Sequence, residues 1–95
     1  MQSFVYILSN KKDGVLYIGV TSNLSNRIYE HKNSIKSGFA SKYNATNLVY
    51  YEVFDDIENA IKREKRLKKY KRDQKITLIE TTNLGWKDLY PEITL

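Results

Sequence analysis

A chain of 95 residues, 41% of them apolar, has material for one modest core and not for two. It contains no cysteine, which excludes disulfides and thiolate metal sites, and its longest apolar runs, about six residues, fall far short of the roughly 20 that span a bilayer. The net charge of +5 is concentrated: Lys62–Lys75 carries nine lysines and arginines against Glu64 and Asp73, a net +7, whereas the remainder carries seven bases and nine acids, a net −2. Such a stripe attracts polyanions, nucleic acid first among them, although a lysine-rich helix face turned to water has the same composition.

The opening Met1-Gln2-Ser3-Phe4 has neither a basic n-region nor a small-residue cleavage site, so the expectation is a soluble, cytoplasmic, single-domain protein over residues 1–95 with no membrane partner. Ser3–Ser9 is rich in aromatic and aliphatic residues and predicts a strand. Asn10-Lys11-Lys12-Asp13-Gly14 is turn chemistry, with Asp-Gly supplying a positive φ, and Val15–Val20 is the returning strand of a hairpin. A centred loop places Tyr6 opposite Tyr17 and Phe4 opposite Gly19 on one face, with Val5, Ile7, Leu16 and Ile18 on the other. Thr21-Ser22-Asn23 is a cap cluster for a helix from Leu24 to Lys36, stopped at Gly38. Leu48–Phe54 predicts a third strand. Asp55 and Asp56 are caps for a helix from Ile57 to Lys71, with Glu58 placed for a capping box from Asp55. Asp73 is the cap of a third helix, Gln74 to Thr82, closed by Asn83-Leu84-Gly85. Trp86, Leu89 and Tyr90 form a packed tail. The order β-β-α-β-α-α, with no linker or repeat, describes a small α+β domain.

Some residues interrupt this plan. Leu24, Ile28, His31 and Ile35 form one helical stripe, of which His31 is the polar member, and Arg27 lies one turn before it. A core histidine with a local hydrogen bond and a snorkelling arginine would account for both. Glu64 interrupts the stripe Ile57, Ala60, Ile61, Leu67. A buried carboxylate needs a partner, either an ion pair with Lys68 or Arg27 or a metal. Gly19 weakens its strand and marks a close approach by a ligand or another part of the chain. Two tyrosines, an Arg/His pair and one carboxylate beside a basic helix suit phosphodiester hydrolysis. A carboxylate completed by water holds a hard divalent cation, arginine forks onto phosphoryl oxygens, and tyrosine or histidine takes a proton from water.

These residues resemble the GIY-YIG nucleases. Tyr17-Ile18-Gly19 matches the second half of that motif and Phe4-Val5-Tyr6 stands in the place of the first, followed by Arg27, His31 and the helix Ala60-Ile61-Lys62-Arg63-Glu64-Lys65-Arg66-Leu67-Lys68. The ending Ile79–Leu89 resembles the small, stand-alone bacterial branch grouped as UPF0213. The resemblance covers nearly the whole chain. It implies a three-stranded antiparallel sheet flanked by helices, and a metal-dependent endonuclease acting on nucleic acid, DNA before RNA. By analogy it points to repair or recombination structures. It implies that Tyr6 and Tyr17 line the catalytic face, with Tyr6 the general base assisted by His31. Arg27 binds the scissile phosphate. Glu64 is the sole protein ligand of Mg2+ (or Mn2+), and Asn83 is a supporting asparagine. Gly19 leaves room for the phosphate backbone, and Lys62, Arg63, Lys65, Arg66, Lys68, Lys69 and Arg72 bind nucleic acid. Phe4 replaces the motif glycine, Val20 stands where some members carry lysine, and no second targeting domain is expected. Two other readings stay open from the residues themselves. One is a non-catalytic nucleic-acid-binding module built on Lys62–Lys75. The other is a protein adaptor with an apolar patch from Phe39, Tyr50, Tyr51 and Trp86.

Overall fold

The computed structural model describes residues 2–33 and 42–94. In chain order these form β1 (Ser3–Ser9), β2 (Leu16–Thr21), α1 (Leu24–Lys32), β3 (Asn47–Phe54), α2 (Ile57–Lys68), α3 (Arg72–Thr82) and a short α4 (Tyr90–Ile93). The sheet is antiparallel throughout, with β1 in the centre of the order β2-β1-β3. The α+β class and the predicted order of elements both hold, with one short helix added in the tail. Ile35, Lys36, Gly38 and Phe39 lie outside the described residues.

The hairpin register differs by two residues from the centred expectation. Tyr6 pairs with Gly19, and Leu8 pairs with Tyr17. The reason lies in the loop. Asn10 Oδ1 accepts from Val15 N at 3.0 Å, and Gly14 N donates to Lys11 O at 3.0 Å, so residues 10–15 close as a unit. The positive φ falls on Asp13, at 59°. Gly14 is required for space instead, since a Cβ there would stand 2.0 Å from Asn10 Oδ1. A two-residue shift preserves the alternation, so the tyrosine face and the aliphatic face come out as read.

Each face carries its own core. Val5, Ile7 and Ile18 pack with Ala60 and Leu67 of α2, Ile79 of α3, and Trp86. On the opposite face Tyr6 and Leu8 pack with Leu24 and Ile28 of α1, and with Leu48. Asn23 caps α1 by accepting from Asn26 N at 3.1 Å. Asp56, rather than Asp55, caps α2, accepting from Asn59 N at 2.7 Å. The α2 helix stops at Lys68, three residues short of the expectation, where Tyr70 N turns back to Leu67 O. The α3 helix starts at Arg72 because the Gln74 side chain accepts from Lys71 N at 2.8 Å, not because Asp73 caps it. Among the described residues, Trp86 and Tyr50 are buried and so offer no surface to the expected adaptor patch.

The tail covers the outer edge of β3 at Leu48. Leu89 N donates to Leu48 O at 2.7 Å, and Asp88 Oδ1 accepts from Leu48 N at 3.0 Å. Lys32 of α1 fastens this arrangement through Asp88 Oδ2, at 2.6 Å, and Thr46 O, at 2.9 Å.

Candidate active site

Alternation sends Tyr6 and Tyr17 to the α1 face, and the diagonal placement given by the register brings their ring centroids to 6.4 Å. His31, one turn beyond Arg27 on α1, completes a three-ring cluster, 6.0 Å from Tyr6 and 5.6 Å from Tyr17. The Tyr6 hydroxyl lies 3.3 Å from His31 Nε2. Tyr6 is wholly enclosed and His31 is buried, whereas Tyr17 is half-buried.

The space left by Gly19 is filled from within the protein. A Cβ on Gly19 would stand 2.4 Å from the Tyr6 hydroxyl and 2.5 Å from Cζ. The glycine therefore lets the Tyr6 ring lie across β2, and the room expected for a phosphate backbone is taken by that phenol.

Burial pushes the Tyr6 hydroxyl up to about 12, with Arg27 pulling it down and Tyr17 and Glu64 adding to the rise. Groups from three elements, β2, α1 and α2, thus act on one phenol. A phenol in that range stays protonated at neutral pH, and its hydroxyl shares a hydrogen bond with His31 Nε2.

Arg27 sits at the rim of this cluster. Its Nη1 donates to Val20 O at 3.4 Å and its Nε lies 3.5 Å from Glu30 Oε1, with the side chain 31% exposed. Both contacts are long, and Arg27 also acts on the Tyr6 hydroxyl through a side-chain hydrogen bond. Glu64 comes from α2, on the other face of the sheet, so the site wraps around the free edge of β2. Its side chain is only 14% exposed and its carboxylate pairs with Lys68 at 3.0 Å. Lys68 also lines a groove of about 290 Å3 with Leu16, Tyr17, Ile18 and Lys75, which brings the Glu64 partner beside Tyr17. Among the described residues no three His, Cys, Asp or Glu side chains converge as a metal cluster. A single hard carboxylate fits a divalent cation that keeps most of its waters, as magnesium does, and does not fit a zinc-type cage.

The basic residues divide into two groups. Lys62, Lys65, Arg66 and Lys69 are exposed on α2. Arg63 is turned inward, contrary to the expectation of a nucleic-acid contact. It forks onto Glu52 through Nε and Nη2, both at 2.9 Å, reaches the Tyr70 hydroxyl at 3.4 Å, and lies over the Tyr70 ring. Tyr50 donates to the same Glu52 carboxylate. Burial pushes that carboxyl up, but the Arg63 and Tyr50 hydrogen bonds outweigh it and hold it below the usual range. Arg72 is likewise engaged, donating to the hairpin carbonyls of Asp13 and Gly14 at 2.6 Å each. Asn83 is a structural clamp. Its Nδ2 donates to Val49 O at 3.1 Å and Lys87 O at 2.8 Å, and its Oδ1 accepts from Lys87 N at 2.9 Å.

Two contributors escaped the sequence reading. Lys75 faces the groove beside Tyr17, and its position three residues into α3 gave no sign of that. Glu52 anchors Arg63, and its place on β3 looked like an ordinary solvent-facing strand position.

The model of the GIY-YIG catalytic domain matches residues 2–77. A UPF0213 protein of Clostridium perfringens is 37% identical over 93 residues, covering 98% of this chain and 99% of its own. Another, from Desulfotalea psychrophila, is 36% identical over 88 residues, covering 92% and 79%. The solution NMR structure of a UPF0213 protein from Bacillus halodurans is similar with a TM-score of 0.57 at 27% identity, covering 93% of each chain. Matched over most of its length by the domain and over nearly all of it by these relatives, the chain belongs to the GIY-YIG family of nucleases, in its small UPF0213 group.

Proposed function

We propose that the protein is a divalent-metal-dependent endonuclease that hydrolyses phosphodiester bonds, with DNA as its substrate. The observation that carries this reading is the meeting of Tyr17, the Tyr6–His31 pair, Arg27 and Glu64 around one edge of β2. Packing alone requires none of these polar groups there. A cation held by Glu64 supplies Lewis-acid stabilisation of the phosphate and of the leaving oxygen. Arg27, at the rim of the cluster and 31% exposed, offers its guanidinium to the charge that grows on the phosphoryl oxygens. The proton of the attacking water enters the cluster at Tyr17, the tyrosine that lines the groove. As that proton joins the Tyr17 oxygen, the Tyr17 hydroxyl proton passes on to the Tyr6–His31 pair, where the imidazole nitrogen is the acceptor, and Tyr6, enclosed behind, holds His31 in register. The exposed Lys62, Lys65, Arg66 and Lys69 supply sequence-independent attraction for the backbone.

The test is nicking of supercoiled plasmid with magnesium or manganese, with EDTA controls. Wild-type protein nicks only with metal. Glu64→Gln removes several kcal/mol of stabilisation and lowers the rate by about a thousandfold or more. Equal, salt-sensitive binding by both proteins without cleavage would overturn the reading in favour of a binding module.

A further inference from the structure

Glu64 is 14% exposed, on a helical stripe whose neighbours Ala60, Ile61 and Leu67 are apolar. Of the residues one turn away on α2 only Lys68 carries a charge, and its Nζ stands 3.0 Å from Glu64 Oε2. Arg27, the other cation expected to reach Glu64, contacts Val20 O, Glu30 and the Tyr6 hydroxyl instead. The two partners are unequally held. Lys68 is the last residue of α2 and its side chain is 54% exposed, so the ammonium meets the carboxylate from the solvent side and can leave without disturbing the core. Lys68 also borders the groove lined by Tyr17, so a second place for the same ammonium lies beside the first. A helix pair at this spacing is common and, in water, weak. What sets this one apart is that its acid is the carboxylate proposed to hold the cation, while its base faces the place proposed for the substrate.

We infer that Lys68 is an exchangeable counter-ion: it neutralises Glu64 until a divalent cation binds there, and it then turns to a phosphate of the nucleic acid beside Tyr17. The inference rests on the cation and nucleic-acid sites of the reading above and deepens it to how the two sites are coupled. An ammonium and a divalent cation against one carboxylate repel each other, so each weakens the hold of the other. The long, exposed lysine stem needs only side-chain rotation to carry its charge elsewhere. Linkage is reciprocal, so cation and nucleic acid favour each other's binding, the one by releasing Lys68 and the other by drawing it away from Glu64. Without Lys68 the Glu64 carboxylate would repel an anionic substrate whenever no cation was bound.

The experiment titrates the full chain with manganese and follows free Mn2+ by electron paramagnetic resonance. Lys68→Met binds Mn2+ about tenfold more tightly than wild type, a modest coupling between sites. Lys65→Met, which removes an equal charge from the exposed face of the same helix, changes the affinity by no more than about twofold. Lys68→Arg, which keeps the charge, stays within about twofold of wild type. A second arm omits metal. In EDTA, Glu64→Gln releases Lys68 and binds a labelled duplex more tightly than wild type, with a salt dependence steeper by about 0.9, the equivalent of one further phosphate. Adding Lys68→Met to Glu64→Gln restores the wild-type slope. Equal effects of Lys68→Met and Lys65→Met on Mn2+ affinity, or a Glu64→Gln slope that Lys68→Met leaves unchanged, would each overturn the inference. Plasmid nicking separates the two readings. Nicking that needs metal and Glu64, with no special effect of Lys68→Met on Mn2+ affinity, leaves the nuclease standing and removes this inference. No nicking by wild type, with Mn2+ binding tightened in Lys68→Met, does the reverse, and no Mn2+ binding by any of the proteins removes both.

Discussion

Gly19 and Tyr6 illustrate how much one missing side chain can determine. The long tyrosine side chain could move aside for a Cβ if it were loose, but it is enclosed and hydrogen-bonded to His31. Gly19→Ala therefore overpacks the strand and destabilises by roughly 1–3 kcal/mol. Thermal unfolding of the variant shows this as a midpoint lower by about 4–8 °C for each kcal/mol lost in a domain of this size. The two tyrosines are likewise distinguishable. If Tyr17 meets the water, Tyr17→Phe lowers the cleavage rate by the roughly 10²–10⁴-fold typical of a lost general base. Tyr6→Phe costs less in rate, since the enclosed hydroxyl acts through His31. Single-turnover cleavage by the two variants reads this directly, and the reverse order would make Tyr6 the group that meets water.

At the scale of elements, the orientation of α2 is set by a contact on the opposite side from the chemistry. Arg63 forks onto Glu52 of β3, with the two side chains 24% and 19% exposed, and this fixes the rotation that aims the neighbouring Glu64 at the β2 edge. Glu52→Gln leaves a charged partner poorly matched and costs roughly 1.5–3 kcal/mol, while Glu52→Gln combined with Arg63→Met costs less than the two changes summed. Urea unfolding of the four proteins measures that coupling. The elements themselves were legible because alternation in β1 and β2 and the caps before α1 and α2 are local signals. The end of α2 was not legible, since Lys69, Tyr70 and Lys71 are all acceptable helix residues and the stop depends on a turn onto Leu67. The grouping of Tyr6, Tyr17 and His31 on one face was legible from residue type and order. Which basic residues are free was not, because Arg63 finds Glu52, and Arg72 finds the hairpin carbonyls, across long stretches of sequence. Residue type says that a charge exists and is silent about its partner.

The whole molecule places two buried phenols in its two cores, and this sets its behaviour in alkali. Tyr6 is raised to about 12 by burial, and Tyr50 is raised further still by burial and by its hydrogen bond to Glu52. A phenol that resists ionisation only when folded contributes stability that is fully present below pH 10, where both states are protonated. That stability falls as the pH passes from about 10 to about 12, because the unfolded chain gives up its protons first. Denaturant midpoints followed across that window decline in wild type and decline less in Tyr50→Phe. The sheet has its own point of exposure, the outer edge of β3, and the stretch that covers it, Asp88 and Leu89, lies beyond residue 77, where the match to the catalytic domain stops. A version trimmed to that boundary would keep Tyr6, Tyr17, Arg27, His31 and Glu64, yet would bare the N–H and C=O of Leu48 and lose Ile79 and Trp86 from the core. Bare strand edges recruit strands from other molecules. Asp88 and Leu89 thus guard one point of a strand edge, and removing them is expected to favour association through β3, which light scattering at rising concentration would show.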